Sequence, residues 1–163
     1  MHMQTENEPE PFLRPARSEE AGALSALALR SKAFWGYSPA FMNACRDELT
    51  YASSQIESSD YRFSVCEVEN RIVGFHGIER LGDDKFELCA LFVEPAFIGK
   101  GYGRLLMEGA RKIATELGAR CLIVQGDPNA ENFYKAAGGV VIGQRESESV
   151  SGRMLPLFRI DLG

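Results

Sequence analysis

The chain has 163 residues, of which 45% are hydrophobic and 25% are charged, and its formal net charge is −5. This length and composition predict a single soluble globular domain rather than a fibrous or largely disordered chain. The acidic balance argues against a nucleic-acid-binding protein, since such proteins usually carry a dominant basic surface. No apolar stretch approaches the roughly 20 residues of a transmembrane helix, so we expect no membrane partner.

The first residues are polar and acidic and contain no apolar core of a signal peptide, which predicts a cytoplasmic protein. We expect a disordered tail over residues 1–11, because it has little to bury, and a single domain over 12–163. The four cysteines are scattered and form no CxxC or His/Cys cluster, so no metal site is expected.

The first part of the domain is predicted to be mostly helical. A short strand is expected at 12–15. Apolar residues at helical spacing then predict a helix over 19–32. An aromatic segment at 34–37 interrupts the pattern. A Ser-Pro pair at 38–39 predicts the start of a second helix that reaches about residue 51.

The middle of the chain predicts three antiparallel strands, since alternating runs at 62–68, 71–78 and 86–93 are separated by turn residues. An apolar stripe after a glycine-rich segment predicts an amphipathic helix ending near Gly118. The apolar run at 121–124 should be a central strand parallel to the third strand of this meander, because a helix joins the two.

A short helix over 129–137 and two closing strands, at 140–142 and 155–160, complete the domain. The predicted fold is therefore α/β, with a mixed sheet flanked by helices. Its predicted order is β-α-α-β-β-β-α-β-α-β-β.

The glycine-rich segment is the clearest candidate for a binding site. Gly99, Gly101 and Gly103 lie where a loop becomes a helix, so free backbone N–H groups and the positive end of the helix dipole point at one spot. Such a spot suits a phosphate group. The segment lacks the Gly-Lys-Ser/Thr of a P-loop and the spacing of a dinucleotide-binding fingerprint, and its strand belongs to an antiparallel meander.

Two ordered motifs resemble the GCN5-related N-acetyltransferase (GNAT) family. The first is the strand-loop-helix LFVEP…GKGYGRLL at 91–106, and the second is NAENFYKAAG at 129–138. The resemblance covers about 85% of the chain. It implies the GNAT fold and the transfer of an acetyl group from acetyl-CoA to an amine. Three positions depart from the family's usual residues, since Ile98 stands for Gln or Arg, Asp127 for Asn and Gly139 for Phe.

The resemblance also implies which residues bind the cofactor. Loop and helix amides would hold the pyrophosphate of acetyl-CoA, and the exposed main chain of the preceding strand would pair with the amides of pantetheine. Asn132 is a further candidate, although an exposed helix asparagine is an alternative reading. The implied cofactor-binding residues are Leu91, Val93, Gly99, Gly101, Gly103, Arg104 and Asn132.

Catalysis of acetyl transfer needs a base for the amine and an acid for the leaving thiolate. By resemblance, Glu87 occupies the position of a general base and Tyr134 that of a general acid. The alternatives are a solvated strand carboxylate and an amphipathic core tyrosine. The side-chain direction of His76 stays open, because a shift of one residue in strand register reverses it.

The acceptor is expected to be a small-molecule or peptide amine. Trp35 and Tyr37, between the first two helices, are candidates for the wall of its groove. The alternative is that Phe34 and Trp35 simply pack the helix junction. Arg145 and Arg153, near the last hairpin, either select charge or are solvated. The alternative function is a non-catalytic module that binds or senses acyl-CoA. Members of the family often form dimers, so a homodimer is considered beside a monomer.

Overall fold

The structure is a computed structural model that describes residues 9–163. Most of the predicted tail therefore lies outside the described residues. The strands are β1 (Phe12–Pro15), β2 (Tyr61–Val68), β3 (Arg71–Arg80), β4 (Lys85–Val93), β5 (Cys121–Gln125), β6 (Gly139–Glu146) and β7 (Met154–Asp161). The helices are α1 (Ala21–Ala33), α2 (Pro39–Cys45), α3 (Ser53–Glu57), α4 (Tyr102–Glu116) and α5 (Glu131–Ala136).

The described strands form one sheet in the order β1-β2-β3-β4-β5-β7-β6. β4 and β5 run parallel, and every other neighbouring pair is antiparallel. This arrangement confirms the predicted mixed sheet, including the parallel pair joined by α4. The β2–β3 turn is also where the sequence places it, and its Glu69 and Asn70 both adopt positive φ.

Helices cover both faces of the sheet and bury two main apolar clusters. On one face, Leu24, Leu27 and Ala28 of α1 pack against β2, β3 and β4. On the other, α4 packs against β3, β4 and β5 through Met107 and Ala110. None of the helices in the described part of the chain is long and apolar enough to cross a membrane.

The second predicted helix is wrong in its length. α2 begins as expected, with the Ser38 hydroxyl accepting a hydrogen bond from the backbone N–H of Phe41 at 3.1 Å. It ends at Cys45 instead of near residue 51, and the separate helix α3 follows. Thr50 donates its hydroxyl hydrogen bond to the Arg46 carbonyl at 2.7 Å. Such local bonds from Ser and Thr compete with helix continuation.

His76 is fully buried on the face of the sheet that α4 covers. It lies between Ser64 of β2 and Leu91 of β4 in the strand register. Its Nε2 is 3.6 Å from where a Cβ on Gly109 of α4 would stand. Within residues 9–163 neither ring nitrogen has a hydrogen-bond partner. His76 is therefore a core histidine, and it does not face the cleft described below.

We expect His76 to make the fold sensitive to acid. Burial lowers the pKa of His76 from an ordinary value of 6.5 to about 4, a difference worth about 3 kcal/mol. In the unfolded chain the imidazole takes up its proton near pH 6.5. The folded protein therefore has its full stability above that pH and loses about 3 kcal/mol of it as the pH falls toward 4. His76→Leu should remove this loss. The free energy of unfolding should be measured for both proteins in urea. The value for the variant minus that for the wild type should increase by about 2 kcal/mol as the pH is lowered from 7.5 to 5. A constant difference across this range would contradict the assignment.

Candidate active site

The site is built where two neighbouring strands separate. β4 and β5 pair only over 85–87 and 121–123, and beyond Glu87 and Ile123 no pairing between them remains. The rest of β4, from Leu88 to Val93, therefore presents an unpaired main-chain edge to the gap. The gap opens into a cleft of about 830 Å³, which this segment of β4 helps to line.

The glycine loop and the start of α4 line one end of the cleft. Gly99 and Gly101 have φ values of +86° and +90°, and a Cβ on either would point into open space. The backbone N–H of Leu105 bonds to the Gly101 carbonyl at 3.1 Å. The preceding N–H groups of the first turn have no intrahelical partner, as at any helix start. With the dipole of this 15-residue helix they make this end of the cleft suitable for an anion.

Glu87 lies at the branch point of the two strands and lines the cleft. Its side chain is 18% exposed and pairs with the guanidinium of Arg145 on β6 at 3.2 Å. Burial raises the pKa of Glu87, and Arg145 opposes that rise. The raised pKa brings this carboxyl closer to neutral pH, where a general base works best.

Tyr134 reaches the cleft from α5 and is 8% exposed. Its ring packs edge-on against Phe133, with centroids 5.2 Å apart, and is tilted by 40° against Phe158, with centroids 5.6 Å apart. Burial raises the pKa of the Tyr134 hydroxyl, so the group stays protonated at neutral pH and is available as a proton donor.

The sequence matches the model of the acetyltransferase (GNAT) family over residues 28–138, which is more than half of the chain. The chain belongs to the GNAT family. A comparison with curated protein sequences gives no match. Membership assigns the protein to the acetyltransferases, and the mixed sheet with its separating central strands is the fold that the motifs imply.

Solved structures of GNAT proteins share this fold. The PaiA N-acetyltransferase of Thermoplasma acidophilum, solved with coenzyme A, has a TM-score of 0.76 and 20% identity over 93% of this chain and 99% of its own. A GCN5-related N-acetyltransferase from Rhodopseudomonas palustris has a TM-score of 0.76 and 23% identity over 99% of both chains. YncA of Salmonella typhimurium, solved with acetyl-CoA, has a TM-score of 0.65 and 18% identity over 94% of this chain and 95% of its own.

Most of the residues that the GNAT motifs single out meet at the cleft. Its lining includes Glu87, Leu91, Val93, Gly99, Gly101, Gly103, Arg104 and Tyr134. Asn132 is exposed and is not part of that lining. Within residues 9–163 no group of three or more His, Cys, Asp or Glu side chains is placed to hold a metal ion.

Two of the three departures from the usual GNAT residues have a structural consequence. A Cβ on Gly139 would stand 2.7 Å from the Tyr134 carbonyl oxygen, so the close approach of β6 to α5 requires glycine there. Asp127 accepts hydrogen bonds from the Tyr37 hydroxyl at 2.8 Å and from Lys32 at 3.1 Å. Ile98 lines the cleft as an apolar side chain.

The Asp127 cluster lies at the cleft, whose lining includes Lys32, Asp127 and Asn129. It consists of Lys32, Tyr37, Asp127, Asn129 and Arg153. The Tyr37 hydroxyl accepts hydrogen bonds from Asn129 at 3.0 Å and Arg153 at 3.1 Å, and the Tyr37 side chain does not line the cleft. Trp35 is 46% exposed and does line it. Of the two predicted wall residues, the structure therefore places Trp35 in the cleft lining and Tyr37 in the Asp127 cluster.

The sequence missed most of the Asp127 cluster and the contact of Arg145 with Glu87. Lys32 and Asp127 are 95 positions apart, and Arg145 and Glu87 are 58 apart. No local pattern links residues at such separations. The one available signal was Asp127 itself, an acidic residue where GNAT members often have asparagine.

Proposed function

We propose that this protein is an acetyl-CoA-dependent N-acetyltransferase that moves an acetyl group to a primary amine by direct attack in a ternary complex. The observation that carries the proposal is the gap between β4 and β5. It joins an anion-binding helix start to a half-buried carboxyl and a protonated tyrosine in a single cleft.

The residues at the gap fit acetyl-CoA. The backbone N–H groups at Gly99, Gly101, Gly103 and Arg104 would hold the pyrophosphate. The free main-chain edge at Leu91 and Val93 would pair with the amides of pantetheine, because an unpaired strand edge needs a hydrogen-bonding partner. When bound, acetyl-CoA supplies the acetyl group as an activated thioester. Asn132 stays a proposed contact of acetyl-CoA, although it is not among the residues that line the cleft.

Glu87 would act as the general base. Its carboxylate would take a proton from the acceptor ammonium, directly or through a water molecule, and leave the nitrogen lone pair free to bond to the acetyl carbonyl carbon. Tyr134 would act as the general acid. As the carbon–sulfur bond breaks, its hydroxyl would donate a proton to the departing sulfur, which gives the N-acetylamine and coenzyme A as products.

The acceptor would be a small-molecule or peptide amine. Trp35 is suited to the groove wall because it lines the cleft and is partly exposed, and an aromatic face can contact an apolar stem or a cation. Tyr37 would support this wall from the Asp127 cluster. The cytoplasmic location and the homodimer stay predictions.

The test of this function is thiol release from acetyl-CoA across a panel of small and peptide amines, with mass spectrometry of the products. We expect turnover with at least one primary amine and a product heavier by one acetyl group on nitrogen. Tight coenzyme A binding without turnover of any amine would favour the non-catalytic binding module instead.

The glycine loop gives a separate test of cofactor binding. In Gly101→Ala, the residue keeps a φ of +90° that alanine tolerates poorly, and the methyl group enters the space where an anion would sit. We expect the Kd for coenzyme A, measured by calorimetry, to rise about 10-fold or more. Gly118→Ala is the matched control, because Gly118 has a φ of +94° at the other end of the same helix. Both variants should lose about 1 kcal/mol of stability, and an equal loss of affinity in both would contradict the assignment.

A further inference from the structure

Arg145 links three strands at the point where the sheet separates. Its Nη1 lies 3.2 Å and 3.4 Å from the two carboxylate oxygens of Glu87 on β4, and 3.4 Å from Oε1 of Gln125 on β5. Arg145 itself belongs to β6, beyond β7 in the sheet. The guanidinium therefore reaches back from the outer hairpin to the branch point of β4 and β5.

Two carboxylates also act on Glu87 and oppose its ionisation. Glu79 is its cross-strand partner on β3, and Glu148 approaches from the β6–β7 loop. Cys89 lies two residues along β4, where burial raises the pKa of its thiol and keeps it neutral. Within residues 9–163, Arg145 is the one basic side chain in an ion pair with Glu87. Its positive charge counteracts both the burial of Glu87 and the two nearby carboxylates.

We propose that Arg145 is a positioning residue that holds the Glu87 carboxylate, in its ionised form, toward the amine in the cleft. The inference rests on the proposed function, since it concerns the same base. One guanidinium nitrogen occupies only part of the acceptor capacity of a carboxylate, which has about four lone-pair sites. The remaining sites stay available to the ammonium or to a bridging water. The last hairpin thereby contributes to the chemistry as well as to the cleft lining, which includes Arg145 and Leu155.

The experiment compares the pH dependence of kcat/KM in the wild type and in Arg145→Gln. The acidic limb of the wild-type profile should mark protonation of Glu87. Without the guanidinium, burial and the nearby carboxylates act unopposed, so the limb should move to higher pH by about 1 unit. Arg145→Lys should restore most of the wild-type position. Arg159→Gln is the control, because Arg159 forms an exposed pair with Asp161 outside the cleft. It should leave the limb in place.

A double-mutant cycle tests whether Arg145 acts through Glu87. In a Glu87→Gln background, Arg145→Gln should cause no further loss of kcat/KM, whereas independent roles would multiply the two losses. An unmoved acidic limb in Arg145→Gln, or multiplied losses, would overturn the inference.

Failure of the proposed function would look different, because the wild type would then acetylate no amine at any pH. In that case a ¹³C NMR titration of the Glu87 carboxyl still decides the inference. The titration midpoint should be higher in Arg145→Gln than in the wild type, and equal midpoints would overturn the proposal.

Discussion

Replacing Tyr134 with phenylalanine is expected to lower kcat for acetyl transfer about 100-fold, because it removes the hydroxyl of the proposed general acid and keeps the ring. Tyr134 is 8% exposed, and its ring packs against Phe133 and Phe158 in a way that phenylalanine can reproduce. The hydroxyl stays protonated at neutral pH, since burial raises its pKa. Without it, the thiolate must leave unprotonated. The measurement is steady-state thiol release at saturating acetyl-CoA and amine.

The same variant carries its own controls. The Kd for coenzyme A and the midpoint of thermal unfolding should stay close to wild type, since the aromatic packing remains. The loss should also shrink for acyl donors whose leaving group is a weaker base, because such groups need less help from a proton. An unchanged kcat would mean that Tyr134 is a core tyrosine, which was the alternative reading of the sequence.

The parts of the site that lie close together in the chain were predictable from the sequence. Gly99 and Gly101 sit between a strand and an amphipathic helix, and both adopt the positive φ that this junction needs. The order of β2, β3, β4 and β5 in the sheet was also predictable, because it depends on connections between consecutive elements. Short turns between β2, β3 and β4 require antiparallel neighbours, and a helical crossover makes β4 and β5 parallel.

The parts that depend on register or on distant residues were not predictable. The direction of His76 rests on pairing across two strands, and the β3–β4 ladder contains an irregularity between Gly77 and Ile78. This irregularity lies between His76 and the β3–β4 turn, so a register counted from that turn does not give the face of His76. The partners of Glu87 and Asp127 come from other parts of the chain, so no periodicity or motif reports them. The end of α2 at Cys45 was not predictable either, because hydrogen-bonded turns follow it, such as that from the Thr50 N–H to the Asp47 carbonyl at 3.2 Å.

Replacing Glu87 with glutamine should lower kcat/KM at pH 7 by about 100-fold, because the amide keeps the shape of the side chain but cannot take a proton. Glu67→Gln is a matched control. Glu67 is also a strand glutamate paired with an arginine, its side chain is 15% exposed, and it lies outside the cleft lining. Thiol release should fall in Glu87→Gln alone, while both variants lose one ion pair and should change modestly in stability. Equal activity in the two would contradict the base assignment.

The pH profile separates the loss of a base from a general disturbance of the site. Burial raises the pKa of Glu87, so wild-type kcat/KM should fall as pH drops through a value above the ordinary glutamate pKa of about 4.3. In Glu87→Gln this limb should vanish. The remaining rate should instead rise about tenfold per pH unit toward the pKa of the amine, because only amine already deprotonated in solution can then attack. The 100-fold deficit should therefore narrow at high pH. A deficit that stays constant across the range would indicate that Glu87 orients the acceptor without accepting its proton.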